Sequence, residues 1–349
     1  MLKYELDNQR LLSIFDRKIH PNRVKADRKR VLLDKPGSLG RIADRHSSRC
    51  SVIPINSAEE GKMRMIQLGI RLHDVNSRES ADRQTLEARA AKAREEGFTN
   101  VHLALSKCIP GVAFDDAALT EGLAAYVRRV FRDEALDVAV LGCYLNLAHP
   151  DADKLKEIRS RYYGHLRVAA LAGVGMVGTE TGAPNAAYKL DANTHSDEAL
   201  HTFMWNLEPV VERAEHWGVT LAVEPVWNHI VYNADRALEL LRGIGSPNLR
   251  IIFDPVNLLA AENVDERERV LEDAMDKLCD HIAMVHIKDY VRDGAGLKSV
   301  AAGTGEMDYT AILRFLKARK PFIQASLENT CNDNAVASRL LIEQLYASI

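Results

Sequence analysis

The sequence predicts a (β/α)8 TIM barrel that follows a poorly ordered basic N-terminal extension. Three observations support this prediction: a division of charge near residue 62, eight apolar runs of strand length after it, and segments of helical periodicity between the runs. Runs that are apolar throughout are typical of parallel strands with both faces covered by helices. Eight β-loop-α units over about 285 residues match the usual size of such a barrel.

The first 62 residues differ in charge from the rest of the chain. They contain 14 Lys+Arg and 8 Asp+Glu, a net charge of +6, whereas the whole 349-residue chain carries −3, so the remaining 287 residues carry −9. The segment has no sustained apolar period and cannot bury much core. We predict that residues 1–62 are a flexible or non-native extension, translated from upstream of the natural start, because Met63 and Met65 stand directly before the first strand-like run. An arm that binds nucleic acid or an anionic surface is the alternative.

Composition narrows the class of protein. With 46 % hydrophobic and 27 % charged residues the chain is globular in character, and its near-balanced charge gives no global reason to expect nucleic acid or an acidic membrane as partner. No apolar run approaches the roughly 18–20 residues of a membrane span, and the first residues lack the apolar segment of a signal peptide. We therefore expect a cytoplasmic protein whose partner is a small molecule, and homo-oligomerisation stays open.

The predicted barrel domain covers residues 65–349. Its eight strand-like runs are 66–72, 98–104, 137–145, 173–179, 220–223, 249–253, 282–287 and 322–327. Helical spacing fills the gaps, for example at Leu155, Ile158, Tyr162 and Leu166. A doubly wound open sheet is the alternative fold. It would require a glycine-rich phosphate turn after the first strand, and residues 73–77 contain no glycine.

Chemically active residues stand at or near the ends of the last four runs. Barrel enzymes carry their active sites at the C-terminal ends of the strands, and there the sequence places Glu224, Asp254, His286 and Glu328. Neighbouring strands lie about 4.8 Å apart, so these side chains can converge. Each residue alone is more typical of a cap, an ion pair or a structural histidine. Four on successive strands instead favour a metal site.

Three crowded carboxylates would repel each other and resist ionisation unless a cation lay among them. The predicted cofactor is therefore one divalent metal ion. A set rich in oxygen with one nitrogen suits Mn²⁺, our first expectation, or Mg²⁺, Co²⁺ or Fe²⁺ better than a structural Zn²⁺, although Zn²⁺ stays an alternative.

The strand-end residues also carry a family resemblance. The relevant motifs are Glu224-Pro225, Asp254, His286-Ile287-Lys288-Asp289, Gly303-Thr304-Gly305-Glu306-Met307-Asp308 and Glu328. In order and spacing they resemble the sugar phosphate isomerase/epimerase family of xylose isomerase-like TIM barrels, which includes the ketose 3-epimerases. The resemblance covers about residues 65–349. It implies that Glu224, Asp254, His286 and Glu328 bind the metal, and that Glu224 and Glu328 act as acid and base on opposite faces of a sugar.

The implied chemistry is proton transfer next to a carbonyl. A metal chelated by the carbonyl and adjacent hydroxyl oxygens stabilises the enediolate formed when a carboxylate removes the proton. Return of a proton to the opposite face inverts the centre, whereas return to the neighbouring carbon isomerises the sugar. The prediction is a metal-dependent isomerase or epimerase of a sugar or related polyhydroxy carbonyl compound.

Three other functions stay open at this point. A lyase of the inosose-dehydratase type would eliminate water from the same enediolate. A non-catalytic sugar-binding barrel is a second alternative. An endonuclease for abasic DNA is a third, although the −9 charge of residues 63–349 argues against it.

Some candidate substrate-binding residues rest on the resemblance. Arg292 lies six residues after His286, where ketose epimerases carry a substrate-binding arginine, and Asn257 stands where they use a histidine. Ile230 replaces a carboxylate that those epimerases use near the substrate, unless Trp227-Asn228-His229 changes the register of this loop. These departures argue against a free ketose 3-epimerase.

The remaining candidates rest on position alone. Glu180 ends the fourth run beside Glu224, and His73 and His149 follow the first and third runs. Lys288 alternates with His286 and so points to the same side. His102, within the second run, is interpreted as an interior histidine.

Overall fold

The computed structural model of the chain describes residues 66–75, 85–294 and 296–349. The predicted extension at residues 1–62 lies outside the described residues, and its flexibility stays a prediction. The domain bounds 65–349 stay a prediction for the same reason.

Eight parallel strands close into a barrel. They are β1 (Gln67–Arg71), β2 (Asn100–Leu103), β3 (Asp137–Gly142), β4 (Met176–Glu180), β5 (Thr220–Glu224), β6 (Leu249–Phe253), β7 (Ile282–Ile287) and β10 (Gln324–Leu327). The order around the barrel is β1-β10-β7-β6-β5-β4-β3-β2, so neighbours in the chain are neighbours in space. The predicted (β/α)8 fold is confirmed, and each of the eight predicted runs overlaps one barrel strand.

Helices connect the strands on the outside. They are α1 (Leu86–Glu95), α2 (Leu105–Cys108), α3 (Glu121–Asp133), α4 (Ala152–Ala172), α5 (Asp197–Trp217), α6 (Ala234–Ile244), α7 (Arg267–Leu278), α8 (Thr310–Arg319) and α9 (Ala335–Ser348). Side chains cap several N-termini: Ser196 accepts a hydrogen bond from the Ala199 amide, and Asn233 accepts one from Arg236. Glycines in the left-handed conformation, such as Gly218 with φ 66°, end α4, α5 and α6.

The core has two layers. A large cluster fills the space between strands and helices, and a small cluster of Ala139, Val140, Ala222, Ile252 and Met284 fills the barrel interior. The interior residues on β5, β6 and β7 alternate with residues that face the helices, so both faces of these strands are buried. This packing makes the strand ends a rigid platform for side chains at the barrel mouth.

An antiparallel hairpin extends from β7 and was not predicted. It consists of β8 (Asp289–Asp293) and β9 (Gly296–Val300), and its outer residues are exposed. It begins one residue after β7 and has no long apolar run, so hydrophobic patterning gives no signal for it. Among the described residues, no helix is both long and apolar enough to cross a membrane.

Candidate active site

Four chain segments bring acidic and imidazole side chains together at the C-terminal mouth of the barrel. Glu224 is the last residue of β5, Asp254 follows β6, His286 lies in β7 and Glu328 follows β10. We call these four residues the mouth cluster. The backbone amide of Glu328 donates to the Ile287 carbonyl at 3.1 Å, which fixes Glu328 beside His286. The strand order thus achieves the convergence that the sequence predicted.

The mouth cluster is compact and buried. His286 Nδ1 lies 3.2 Å from Glu224 Oε2, 3.5 Å from Glu328 Oε1 and 3.9 Å from Asp254 Oδ2. All four residues are at most 5 % exposed. One ligand atom from each of Glu224, Asp254 and His286 lies within 4.8 Å of the others, a spacing that a metal ion can bridge.

His286 has unused hydrogen-bonding capacity. Both of its ring nitrogens are buried and neither makes a hydrogen bond, despite the short approach to Glu224. Buried polar atoms are rarely left without a partner because the loss of water is costly. A cation among these atoms would satisfy the imidazole and the carboxylates together, so the residues present fit a divalent metal ion.

Two cationic side chains already face the cluster. Lys288 Nζ lies 2.7 Å from Asp254 Oδ2 and 3.3 Å from Glu328 Oε2. Arg71 Nη1 lies 3.4 Å from Glu328 Oε2 and also pairs with Asp74. Lys288 therefore lies on the same side as His286, as alternation along the strand predicted. These cations reduce the repulsion among three buried carboxylates.

The two glutamates of the cluster have different environments. Burial is the main cause that raises the pKa of Glu224 to about 7, and the Glu328 charge raises it further. The Asn257 amide, which donates to Glu224 Oε1 at 2.6 Å, lowers this pKa in part. Burial likewise raises the pKa of Asp254 to about 6 against the effect of Lys288. Burial would also raise the pKa of Glu328, but His286, Lys288 and other partners hold it well below its usual value. Such divergent pairs are typical of acid/base sites.

His102 belongs to this site, contrary to its interpretation as an interior histidine. Its ring stacks on His286 with centroids 5.1 Å apart, and its Nδ1 lies 3.5 Å from Glu328 Oε1 without a hydrogen bond. On the other side, Nε2 shares a 3.1 Å hydrogen bond with Tyr144 Oη. Position within a strand could not reveal this, because β2 turns the ring into the mouth.

A pocket of about 710 Å³ opens over the mouth cluster. Its lining contains four of the predicted substrate-binding residues: His73, Glu180, Asn257 and Lys288. Burial, followed by the nearby charge of Arg71, lowers the pKa of His73 to about 4. The pocket also contains residues that sequence reasoning missed, among them Arg71, Tyr144 and His229.

The structure does not bring Arg292 or His149 into this pocket. Arg292 lies on β8, is paired with Asp265 and Glu306, and its side chain is 46 % exposed. The spacing from His286 was misleading because the chain turns into the hairpin after β7. His149 Nδ1 accepts a hydrogen bond from the Asp151 amide at 3.1 Å, so its ring belongs to the turn before α4.

Asp289, next to Lys288, has a different role. Its carboxylate accepts backbone hydrogen bonds from Tyr290, Gly303, Gly305 and Met307 at 2.8–3.0 Å. A Cβ atom on Gly305 would lie 2.1 Å from the Tyr290 carbonyl oxygen, so only glycine fits there. We call Asp289 and residues 303–307 the Asp289 turn. It explains the Gly303-Thr304-Gly305 motif as a structural turn, without a bound phosphate.

Comparison with known proteins identifies one family that the chain matches. The family model described as xylose isomerase-like TIM barrel matches residues 90–340. A curated protein of Mycoplasma pneumoniae, named probable L-ribulose-5-phosphate 3-epimerase UlaE, is 27 % identical over 161 residues. The match covers 46 % of this chain and 50 % of that protein, so the chain spans about half the length of this curated relative.

Two solved structures have the same fold. The apo form of 3-keto-D-glucoside 4-epimerase YcjR from E. coli superposes with a TM-score of 0.61 at 15 % identity, covering 80 % of this chain and 99 % of that chain. The IolI protein with a bound zinc atom superposes with a TM-score of 0.61 at 17 % identity, covering 81 % and 98 %. At such low identity these likenesses bear on the fold alone.

Proposed function

The chain belongs to the xylose isomerase-like TIM barrel family, and from this premise we propose that it is a divalent-metal-dependent isomerase or epimerase of a sugar or related polyhydroxy carbonyl compound. The observation that carries the proposal is the convergence of Glu224, Asp254, His286 and Glu328 in one buried cluster, of which Glu224 and Glu328 line the pocket. The curated relative, which is named as an epimerase, points in the same direction.

The mouth cluster would hold the metal ion. His286 offers an imidazole nitrogen with no other partner, and Glu224, Asp254 and Glu328 offer carboxylate oxygens around it. This mixture of oxygen and nitrogen donors suits Mn²⁺ and related divalent ions. When bound, the ion supplies positive charge that stabilises a developing oxyanion beside the carbonyl carbon.

The two glutamates would move the protons. Glu328, whose pKa is held low by His286 and Lys288, is ionised and would accept the proton from the carbon next to the substrate carbonyl. Glu224, the other glutamate of the cluster, would return a proton to the substrate, the role that the family resemblance implies for it. The Asn257 amide orients Glu224, and Lys288 balances the charge that Glu328 carries.

Solvent-exchange NMR tests this proposal. Protein loaded with Mn²⁺ would be incubated with ketoses, inososes and hydroxy-keto acids in D₂O, and the quenched mixtures would be analysed for deuterium and for new products. We expect deuterium next to the carbonyl together with an epimerised or isomerised product, and a loss of both in Glu328→Gln. The exposed Glu198→Gln is the matched control.

Other outcomes separate the alternatives. A dehydrated product would favour the lyase reading, and tight sugar binding without any exchange would favour a non-catalytic sugar-binding barrel. Metal binding by Glu224→Gln and Asp254→Asn that is as tight as in the wild type would contradict the metal centre.

A further inference from the structure

A second group of polar side chains lines the pocket beside the mouth cluster, and neither the proposed metal nor the proposed proton transfer uses it. The group consists of Glu180 at the end of β4, Tyr188 in the following loop and His229 in the loop after β5. We call it the Glu180 group. Glu180 and Glu224 are register partners on adjacent strands, so the group lies directly beside the mouth cluster.

The three side chains of the group contact one another in a fixed order. Tyr188 Oη donates to Glu180 Oε2 at 3.3 Å, and His229 Nδ1 lies 3.7 Å from the same oxygen. The Tyr188 and His229 rings meet edge to face with centroids 5.2 Å apart. The hydrogen bond from Tyr188 thus holds Glu180 through Oε2. The Glu180 side chain is still 28 % exposed and lines the pocket.

Backbone features specifically support this arrangement. Tyr188 has a φ of 55°, a left-handed conformation that is costly for a bulky residue and that tends to persist at functional sites. Gly182 makes room for its ring, since a Cβ atom there would lie 2.8 Å from Tyr188 Cε2. The Val231 amide donates to Thr181 Oγ1 at 2.9 Å and the Ile230 amide to the Gly182 carbonyl at 3.0 Å, which joins the loop carrying His229 to the end of β4.

His229 has hydrogen-bonding capacity that the protein leaves unused. Its side chain is 9 % exposed and lines the pocket, and its Nδ1 is buried without a hydrogen bond, turned toward Glu180. Because Nδ1 has no access to solvent, the ring meets the pocket through its other atoms, which include Nε2. Glu180 and His229 therefore lie side by side in the pocket lining, each with hydrogen-bonding capacity that a substrate hydroxyl group can use.

We propose that Glu180 and His229, positioned by Tyr188, bind a hydroxyl group of the substrate on a carbon beyond the carbonyl carbon and its two neighbours. The consequence is a substrate class: a polyol chain with at least four consecutive oxygenated carbons. The inference rests on the proposed function in one respect: the proposed function says that the carbonyl end of the substrate faces the mouth cluster.

Binding measurements on the Mg²⁺-loaded full chain test this inference. The probes are the four 2-ketopentoses (D- and L-ribulose, D- and L-xylulose), which carry further hydroxyl groups, and dihydroxyacetone, which offers only the carbonyl and its two neighbours. Affinities would be measured by ligand-observed NMR, and Mg²⁺ affinity by calorimetry. We expect wild-type protein to bind at least one ketopentose about tenfold or more tightly than dihydroxyacetone.

Variants of the Glu180 group test which residues cause this difference in affinity. We expect Glu180→Ala and His229→Asn to weaken binding of that ketopentose about five- to tenfold, as the loss of a hydrogen bond predicts, and to leave dihydroxyacetone and Mg²⁺ affinities within about twofold. His229→Gln, whose amide can reach the Nε2 position, should recover part of the loss, and Tyr188→Phe should weaken binding about two- to threefold. The exposed Glu198→Ala and His201→Asn are the matched controls.

Several results would overturn the inference. They are equal affinity of the wild type for dihydroxyacetone and all ketopentoses, unchanged ketopentose affinity in both Glu180→Ala and His229→Asn, or an equal loss for dihydroxyacetone and Mg²⁺. If one variant does not fold, the other two positions still decide. Failure of the proposed function looks different: no ketose exchanges its proton in D₂O, while the difference in affinity persists.

Discussion

The mouth cluster and the Asp289 turn are two buried acidic regions in which polar groups are satisfied to different degrees. Asp254 and Asp289 are each 1 % exposed. Asp289 accepts four backbone hydrogen bonds that hold a turn. Within the described part of the chain, Asp254 accepts backbone hydrogen bonds only from the Val256 and Asn257 amides, both on Oδ1, and neither ring nitrogen of the neighbouring His286 makes a hydrogen bond. Burial by itself therefore does not distinguish a functional carboxylate. Unused hydrogen-bonding capacity distinguishes the mouth cluster.

The largest effect that we expect is on metal binding by the mouth cluster. Glu224→Gln and Asp254→Asn should each weaken Mn²⁺ binding at least about 100-fold, because a neutral amide is a poor ligand for a hard cation. The unfolding free energy of metal-free Glu224→Gln should stay constant or rise by about 1 kcal/mol, since a buried charge is removed, whereas Asp254→Asn also removes an ion-pair partner of buried Lys288 and should lower it. Calorimetric titration and urea unfolding measure the two quantities. A Glu224→Gln protein that unfolds readily would mean that Glu224 is structural.

Asp289→Asn should show the opposite pattern. An amide accepts through one oxygen only, so some of the four backbone donors lose their partner, and we expect a loss of about 2–4 kcal/mol in unfolding free energy. Mn²⁺ affinity of the folded fraction should change less than about threefold. The exposed Asp293→Asn is the control, and it should have almost no effect. A selective loss of Mn²⁺ binding in Asp289→Asn would abolish the contrast between the two regions.

The Mn²⁺ affinity of the mouth cluster should also depend on pH. Glu224 and Asp254, with pKa values of about 7 and 6, hold protons that a metal ion must displace. We expect Mn²⁺ affinity to fall about tenfold between pH 7.5 and pH 6, and more steeply below pH 6. Affinity that does not change over this range would contradict the proposed ligand set.

The same raised pKa values fix the sign of the effect on stability. The folded metal-free protein keeps protons on Glu224 and Asp254 at a pH where the unfolded chain, with carboxyl pKa values of about 4, has lost them. Their contribution therefore favours folding fully below about pH 4 and is lost as the pH rises from about 4 to about 7. Urea unfolding in the presence of a chelator measures this loss. Between about pH 4 and pH 7 the unfolding free energy should fall less in Glu224→Gln than in the wild type or in Glu198→Gln.

The smallest effect concerns Asn257. Its amide stabilises ionised Glu224, so Asn257→Ala should raise the Glu224 pKa and shift the midpoint of Mn²⁺ binding upward by about half a pH unit. Calorimetry across a pH series measures this shift. The exposed Asn193→Ala is the control, and a downward shift in Asn257→Ala would contradict the assigned hydrogen bond.

Most of the barrel could be predicted from the sequence because buried parallel strands leave a strong local signal. The predicted runs 249–253 and 282–287 coincide with β6 and β7, and the others differ from the strands by a few residues at the ends. The hairpin of β8 and β9 left no such signal, because its residues are polar and partly exposed. The spacing of Arg292 from His286 consequently suggested a place in the pocket that the hairpin rules out.

The sequence by itself determined the barrel and the order of Glu224, Asp254, His286 and Glu328 around its mouth, since parallel strands in chain order place their ends side by side. Only the tertiary structure decided which other groups meet there. His102, Tyr188 and His229 come from an interior strand position and two loops, and no periodicity connects them. Local patterns depend on burial along one segment, whereas a site depends on distances between segments, which packing alone sets.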